Sequence, residues 1–406
     1  MTAETLKNKF EIKELELNSL LEITQAINNN LPESSLYKIY HFTLRANHNI
    51  KKLALYVLDD QWECKAFHGT VHNYNNITLD QKFLSVKEIS YLENGDTSEP
   101  FTEFDILIPI AHKDTILAFV FIDGMKGEDG QQHEDFTFLQ ALSNIILVAI
   151  ENKKLARKEL RQEALRREME IASNVQKYLF PENLPNGRRL KVEASYLPHH
   201  TVGGDYYDYI PINRNQFLIC IADVSGKGIP AAILMSNFQA SLRTLLRQTP
   251  NITTIVEELN YLILENAKGE NFITFFGAIY DHTLKTMVYV NAGHNPPILI
   301  DKKQGILLLD QGTTILGSFK TLPFLNEGFL TDLEDFLFFS YTDGLTETLN
   351  EQGEEYGVDR LKELLIKKKN GGLKDLHHQV IADLDNYRGE NSYSDDITLL
   401  SCKVNP

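Results

Sequence analysis

The stretch Ala222-Asp223-Val224-Ser225-Gly226-Lys227-Gly228 decides how the rest of the chain reads. It follows Phe217-Leu218-Ile219-Cys220-Ile221, an unbroken apolar run that reads as a buried strand, and precedes Ile229-Pro230-Ala231-Ala232-Ile233-Leu234, which reads as a helix start. A carboxylate thus ends a buried strand beside a turn of small residues that keeps the space in front of it open. Asp223 is a place where an ion can sit.

Three further segments put an acid at a strand end or tight turn: Val202-Gly203-Gly204-Asp205, Phe338-Phe339-Ser340-Tyr341-Thr342-Asp343-Gly344 and Ser394-Asp395-Asp396-Ile397-Thr398-Leu399. Each acid alone reads as a surface or turn residue. Gathered, with few histidines or thiols near them in sequence, they suit a hard divalent cation in octahedral oxygen coordination, so Mg²⁺ or Mn²⁺ is the expected occupant.

At these residues the chain resembles the PPM (type 2C) metal-dependent protein phosphatases, and within them the bacterial SpoIIE/RsbU branch. The resemblance spans roughly residues 170 to 403 and rests on Val202-Gly203-Gly204-Asp205-Tyr206-Tyr207-Asp208, Asp223 to Gly228, Asn291-Ala292-Gly293-His294-Asn295-Pro296-Pro297, Thr342-Asp343-Gly344 and Asp395-Asp396-Ile397-Thr398, in family order. It implies a serine/threonine protein phosphatase with a β-sandwich flanked by helices and two Mn²⁺ or Mg²⁺ ions at one end. Two ions roughly 3.5–4 Å apart lower the pKa of a water, orient it and offset charge on the phosphoryl group.

The resemblance also implies the roles. Asp223 and Asp205 are the catalytic pair, Asp223 touching both ions and Asp205 helping to hold them; Asp343 and Asp395 complete the first ion's shell, and the Val224 carbonyl faces the other. Asp396 caps or orients, Asp208 stands behind the ligands, and Gly344, like Gly203-Gly204, fits a tight turn or close approach. Lys227 either reaches a phosphate oxygen or is solvated at a helix start. Ser225 stands where eukaryotic relatives carry a histidine implicated as general acid, and no counterpart of their phosphate-binding arginine is evident, so the proton donor for the leaving group is unassigned. The implied substrate is a phosphorylated STAS-type anti-anti-sigma protein or a similar signalling partner. Gly226-Lys227-Gly228 is no nucleotide loop, since Ile221 replaces the first required glycine and no Ser or Thr follows the lysine. His294 reads as structural, in a hairpin-like turn.

The bulk properties agree. A chain of 406 residues is long enough for two or three domains. A net charge of −16 argues against a nucleic-acid partner. Cys64, Cys220 and Cys402 are widely spaced and read as packing residues of a reducing compartment. No stretch is apolar for the roughly 18–20 residues of a membrane span, and the N-terminus lacks the apolar core of a signal peptide, so a cytoplasmic location is expected.

The expected class is α+β, with a sensor at 1–150, a helical linker at 151–187 and a phosphatase domain at 188–406. Residues 5 to 28 place Leu6, Phe10, Leu17, Leu20, Leu21 and Ile27 as a helical stripe; a second helix runs through His41 to Asn47. Strands follow at 52–58, 62–67, 105–110 and 115–122, with a hairpin at His112-Lys113-Asp114, a Gly-rich loop at 124–130 and a helix from 134 through 150. This order resembles a GAF domain, with a PAS domain as the alternative; its ligand is not readable. Residues 151 to 179 lack Pro and Gly, and Leu165, Met169, Ala172, Val175 and Leu179 form a seam that predicts a parallel coiled coil and a homodimer. Its end, Glu168 to Pro181, resembles the helix preceding SpoIIE/RsbU catalytic domains. Beyond it, strands and paired helices alternate. Two rivals stand beside the phosphatase: a catalytically silent dimeric adaptor that keeps the fold for partner binding, and a hydrolase of small phosphate esters.

Overall fold

A computed structural model describes residues 3–48, 50–92, 99–112, 115–123, 136–199 and 201–406. They divide into two units, Met1–Glu163 and Ala164–Pro406. The sequence-based boundaries at 150 and 187 do not coincide with this division. With no Pro or Gly to end it, the expected sensor helix and linker form one helix, α3 (Thr137–Lys177), shared between the units.

In the first unit, α1 (Ala3–Asn28) and α2 (Glu33–His48) precede β1 (Lys52–Leu58), β2 (Trp62–His68), β3 (Ser90–Tyr91), β4 (Ile106–His112) and β5 (Thr115–Asp123). The strands form one antiparallel sheet in the order β2-β1-β5-β4-β3. Alternation along β1 sends Leu53, Leu55 and Val57 to a core shared with Tyr40 of α2 and Leu142 and Ile146 of α3, while Ala54 and Tyr56 join an aromatic cluster with Tyr74, Phe101 and Phe121 on the other face. The stripe expected on α1 is only partly covered. Leu20 and Ile27 pack half-buried against the core, but Phe10, Leu17 and Leu21 are 70 %, 67 % and 56 % exposed; the buried residues are Ile23 and Ala26, which that stripe did not include. The Gly124–Gly130 loop and Lys113-Asp114 lie outside the described residues.

The second unit is a sandwich of two sheets. One contains β7 (Tyr206–Pro211), β8 (Gln216–Val224), β9 (Ile273–Asp281), β10 (Thr286–Ala292), β13 (Gly312–Thr313) and β14 (Gly328–Leu330), in the order β13-β10-β9-β8-β7 with β14 also on β10. The other is β12-β11-β15-β16-β6, from β6 (Leu190–Leu197), β11 (Ile298–Asp301), β12 (Gly305–Leu308), β15 (Phe336–Tyr341) and β16 (Ile397–Val404). The period of two sorts the side chains. Phe217, Ile219 and Ile221 meet Phe336, Phe338, Leu400 and Cys402 between the sheets, whereas Leu218, Cys220 and Ala222 face α4 (Ile229–Gln248) and α5 (Ile252–Ala267). On the outer side of the second sheet, Phe339, Tyr341 and Leu399 pack on α7 (Val358–Lys368) and α8 (Leu373–Arg388); the short α6 (Asp343–Thr346) follows β15. Strand ends that carry acids therefore meet at one end of a four-layer sandwich.

The seam predicted on the linker is divided. Met169, Ala172 and Leu179 are half-buried within the second unit, while Leu165 and Val175 are 58 % and 57 % exposed. At 3.6 residues per turn Val175 lies about 100° around the axis from the buried Gln176, whereas Leu165 shares the face of Gln176 and is exposed farther along the helix.

Candidate metal centre

Asp205 immediately precedes β7, Asp223 is the penultimate residue of β8, Asp343 opens α6 after β15, and Asp395 and Asp396 lead into β16. Segments distant in sequence thus deliver carboxylates to one end of the sandwich, where they act on one another. Burial and the facing charge of Asp223 hold Asp205 well above the usual carboxylate range. Burial, then Asp343, Asp395 and Asp396, push Asp223 up to about 7. Burial and Asp395 raise Asp343. The four acids expected to hold ions therefore converge rather than point into separate regions.

Asp205 is 1 % exposed and its Oδ2 accepts hydrogen bonds from Thr342 Oγ1 at 2.9 Å and Thr398 Oγ1 at 2.5 Å. Both threonines lie inside the acid motifs, yet reading the acids alone passed over them. Asp396 does a different job. Its carboxylate accepts from the backbone N–H of His199 at 2.7 Å and of Gly204 at 3.1 Å, fixing the turn that presents Asp205. A Cβ on Gly203 would stand 2.0 Å from Asp396 Oδ2, and one on Gly344 2.1 Å from the Asp396 carbonyl oxygen, which is why neither position tolerates a side chain. The Val224 carbonyl faces the same turn, 2.7 Å from where a Cβ on Gly204 would be.

Gln176 was missed altogether. Its amide donates to the Gly203 carbonyl at 2.7 Å and its Oε1 accepts from Gly203 N–H at 3.3 Å, so the last full turn of α3 grips the backbone two residues before Asp205. The available sign was a lone amide at a helix position that is 6 % exposed among half-buried apolar neighbours.

Asp208, expected behind the ligands, is not with them. Three residues after Asp205, it falls on the opposite face of β7, toward α4. There it accepts Arg243 Nε at 2.8 Å and Nη2 at 3.0 Å, together with the Tyr206 hydroxyl and Tyr209 N–H. Lys227 makes an ion pair with Asp395 at 2.9 Å and donates to the Ser394 carbonyl at 2.9 Å. The Ser225 hydroxyl accepts Phe272 N–H at 2.8 Å and so ties its turn to the strand β9 entry. His294 is buried, hydrogen-bonded through Nδ1 to Thr274 at 2.9 Å, and held down to about 4 by burial, so it packs as a neutral imidazole.

The donor set is all oxygen, and the surplus of buried like charge fits divalent cations. As the side chains stand, no three Asp, Glu, His or Cys groups among the described residues surround one point at ligand distance. That does not conflict with Mg²⁺ chemistry, in which one or two carboxylates are joined by several waters.

Residues 213–405 match the family model "Stage II sporulation protein E (SpoIIE)". The match falls entirely within the second unit. The match includes Asp223, Asp343 and Asp395 and begins after Asp205. Phosphoserine phosphatase RsbU of Bacillus subtilis is 30 % identical over 193 residues, covering 47 % of this chain and 57 % of that protein. Phosphoserine phosphatase RsbP of the same organism is 25 % identical over 235 residues, covering 57 % and 56 %. The chain thus spans about half the length of these curated relatives. In fold, the chain is similar to the SiaA-PP2C domain of Pseudomonas aeruginosa, with a TM-score of 0.54 at 20 % identity over 60 % of this chain and 99 % of that one. Among the described residues, no helix is long and apolar enough to cross a membrane.

Proposed function

We propose that the chain is a divalent-metal-dependent phosphatase that hydrolyses phosphoserine or phosphothreonine on a partner protein. The observation that carries this reading is the convergence of Asp205, Asp223, Asp343 and Asp395 at one end of the SpoIIE-type sandwich. Asp223 would hold two Mn²⁺ or Mg²⁺ ions, Asp205 the same pair, Asp343 and Asp395 the first, and the Val224 carbonyl the second. Bound there, the ions supply an activated water and offset phosphoryl charge. The chain itself does the positioning. Thr342 and Thr398 fix the Asp205 carboxylate, and Asp396 locks the turn before it.

A STAS-type phosphoprotein is the proposed substrate, supported by the SpoIIE/RsbU likeness. The first unit is proposed as a GAF-like sensor; its antiparallel sheet with helices on one face and aromatics on the other supports this. Homodimerisation is proposed through the outward stripe of α3, where Leu160, Ile171 and Val175 are 71 %, 64 % and 57 % exposed and spaced by turns of the helix.

The test is Mn²⁺-dependent phosphate release from a phosphoserine protein, beside free phosphoserine and a nucleotide. Asp223→Asn should lower turnover of the phosphoprotein by about a thousandfold or more. Full activity in that variant refutes the site. Equal or better turnover of the small esters turns the reading to a small-molecule hydrolase, and Mn²⁺ binding without any turnover leaves the silent adaptor.

A further inference from the structure

Lys227 is the notable cation of the acidic end. Its Nζ bridges Asp395 Oδ2 and the Ser394 carbonyl, both at 2.9 Å, and its charge also acts on Asp343. Arginines of the same unit are spent elsewhere, Arg243 on Asp208, Arg360 on Asp383 and Arg388 on Asp385. Lys227 stands between Gly226 at φ 95° and Gly228 at φ 71°, and a Cβ at Gly228 would meet nothing within 4 Å. The Gly228 side of the turn is thus open, while Ser225 ties its start to the β9 entry, and the lysine side chain is itself 48 % exposed. Its ion pair with Asp395, 46 % exposed, is of the weak and exchangeable kind.

An ammonium on Asp395 occupies the place where an ion's charge would otherwise be felt, and a carboxylate neutralised by a divalent ion has less hold on a lysine. A released ammonium at the rim of this end is a point-charge donor for phosphoryl oxygens. We propose that Lys227 anchors the substrate phosphate, parked on Asp395 in the ion-free domain and passed to the phosphoryl group when ions take over that carboxylate. This rests on the metal-dependent phosphatase reading. It makes Lys227 a competitor of the metal and a partner of the phosphate, so its removal moves the two affinities in opposite directions.

The experiment uses the full chain and Lys227→Met, with Lys227→Arg as the conservative control. Calorimetric titration with Mn²⁺ alone reads the first affinity. Inhibition by inorganic phosphate of p-nitrophenyl phosphate hydrolysis at saturating Mn²⁺ reads the second. Lys227→Met should bind Mn²⁺ about fivefold tighter and phosphate about fivefold more weakly, with the loss in hydrolysis falling on KM more than on kcat, as for an exposed pair of this kind. Lys227→Arg should restore phosphate affinity. Phosphate affinity unchanged in Lys227→Met, or Mn²⁺ affinity unchanged or weakened, overturns the proposal. Asp223→Asn is run alongside: if it leaves Mn²⁺ binding intact the metal-site reading fails, whatever Lys227 does.

Discussion

The two faces of strand β7 settle a buried aspartate in opposite ways. Asp208, toward α4, is fully buried and fully answered, gripped by two guanidinium nitrogens of Arg243 and by a tyrosine hydroxyl. Asp205, toward the inter-sheet space, is as deeply buried but has no cation: it accepts two threonine hydroxyls and shares a hydrogen bond with Asp223, while Asp223 and Asp396 face it with like charge. A fold tolerates the first arrangement by itself. The second keeps its charge only if compensation arrives from outside, and that is the physical mark of a binding site.

The sharpest break of this contrast is Asp205→Asn against Arg243→Met. Asp205→Asn should cut metal-dependent turnover about a thousandfold or more while leaving the ion-free protein at least as resistant to urea, since a repelled charge has been removed. Loss of urea resistance would mean that Asp205 is structural after all. Arg243→Met should do the reverse, leaving Mn²⁺ affinity unchanged and lowering stability by up to about 3–5 kcal/mol, because Asp208 is stranded without its partner. The upper end is not expected, since the Arg243 side chain is 42 % exposed and water reaches it.

Next in size is the dependence of stability on pH in the ion-free protein. Asp223 rises from 3.8 to about 7 on folding, so its contribution is intact below about pH 4 and is lost as pH climbs to about 7. His377, held between Ser195 at 2.9 Å and Ser401 at 2.8 Å, falls from 6.5 to about 3 through burial. Its contribution has the other sign, present above about pH 6.5 and lost toward pH 3. Thermal unfolding in EDTA should therefore show stability falling on both sides of a mildly acidic optimum; Asp223→Asn should flatten the neutral side, and saturating Mn²⁺ should do the same. A neutral side unaffected by either would contradict the charge excess at the centre.

The smallest effect expected is at Gln176. Gln176→Ala removes two hydrogen bonds to Gly203 and should cost about 1–2 kcal/mol in stability while weakening Mn²⁺ several-fold, because the turn presenting Asp205 loosens. Stability lost with Mn²⁺ affinity intact would show that the clamp supports the helix and not the centre.

Much of this was legible in the chain. The runs that became β8, β15 and β16, the breakers around them, the acids that close the first two runs and those that precede the third are local facts, because strand periodicity and turn chemistry act over a few residues. The two faces of β7 were not separated in the sequence reading, though the spacing of Asp205 and Asp208 carried the information. Nor was the face of the linker, where Met169, Ala172 and Leu179 turned inward with Gln176 and left Leu165 and Val175 outside. Sequence by itself determined which residues end strands, which segments carry carboxylates and that the donors gathered there are oxygen. Only the tertiary structure decided which aspartate is neutralised by Arg243, which is left to its own kind, and that Lys227 and Gln176 reach the same end of the sandwich, because electrostatic balance is set by distances between segments that lie far apart along the chain.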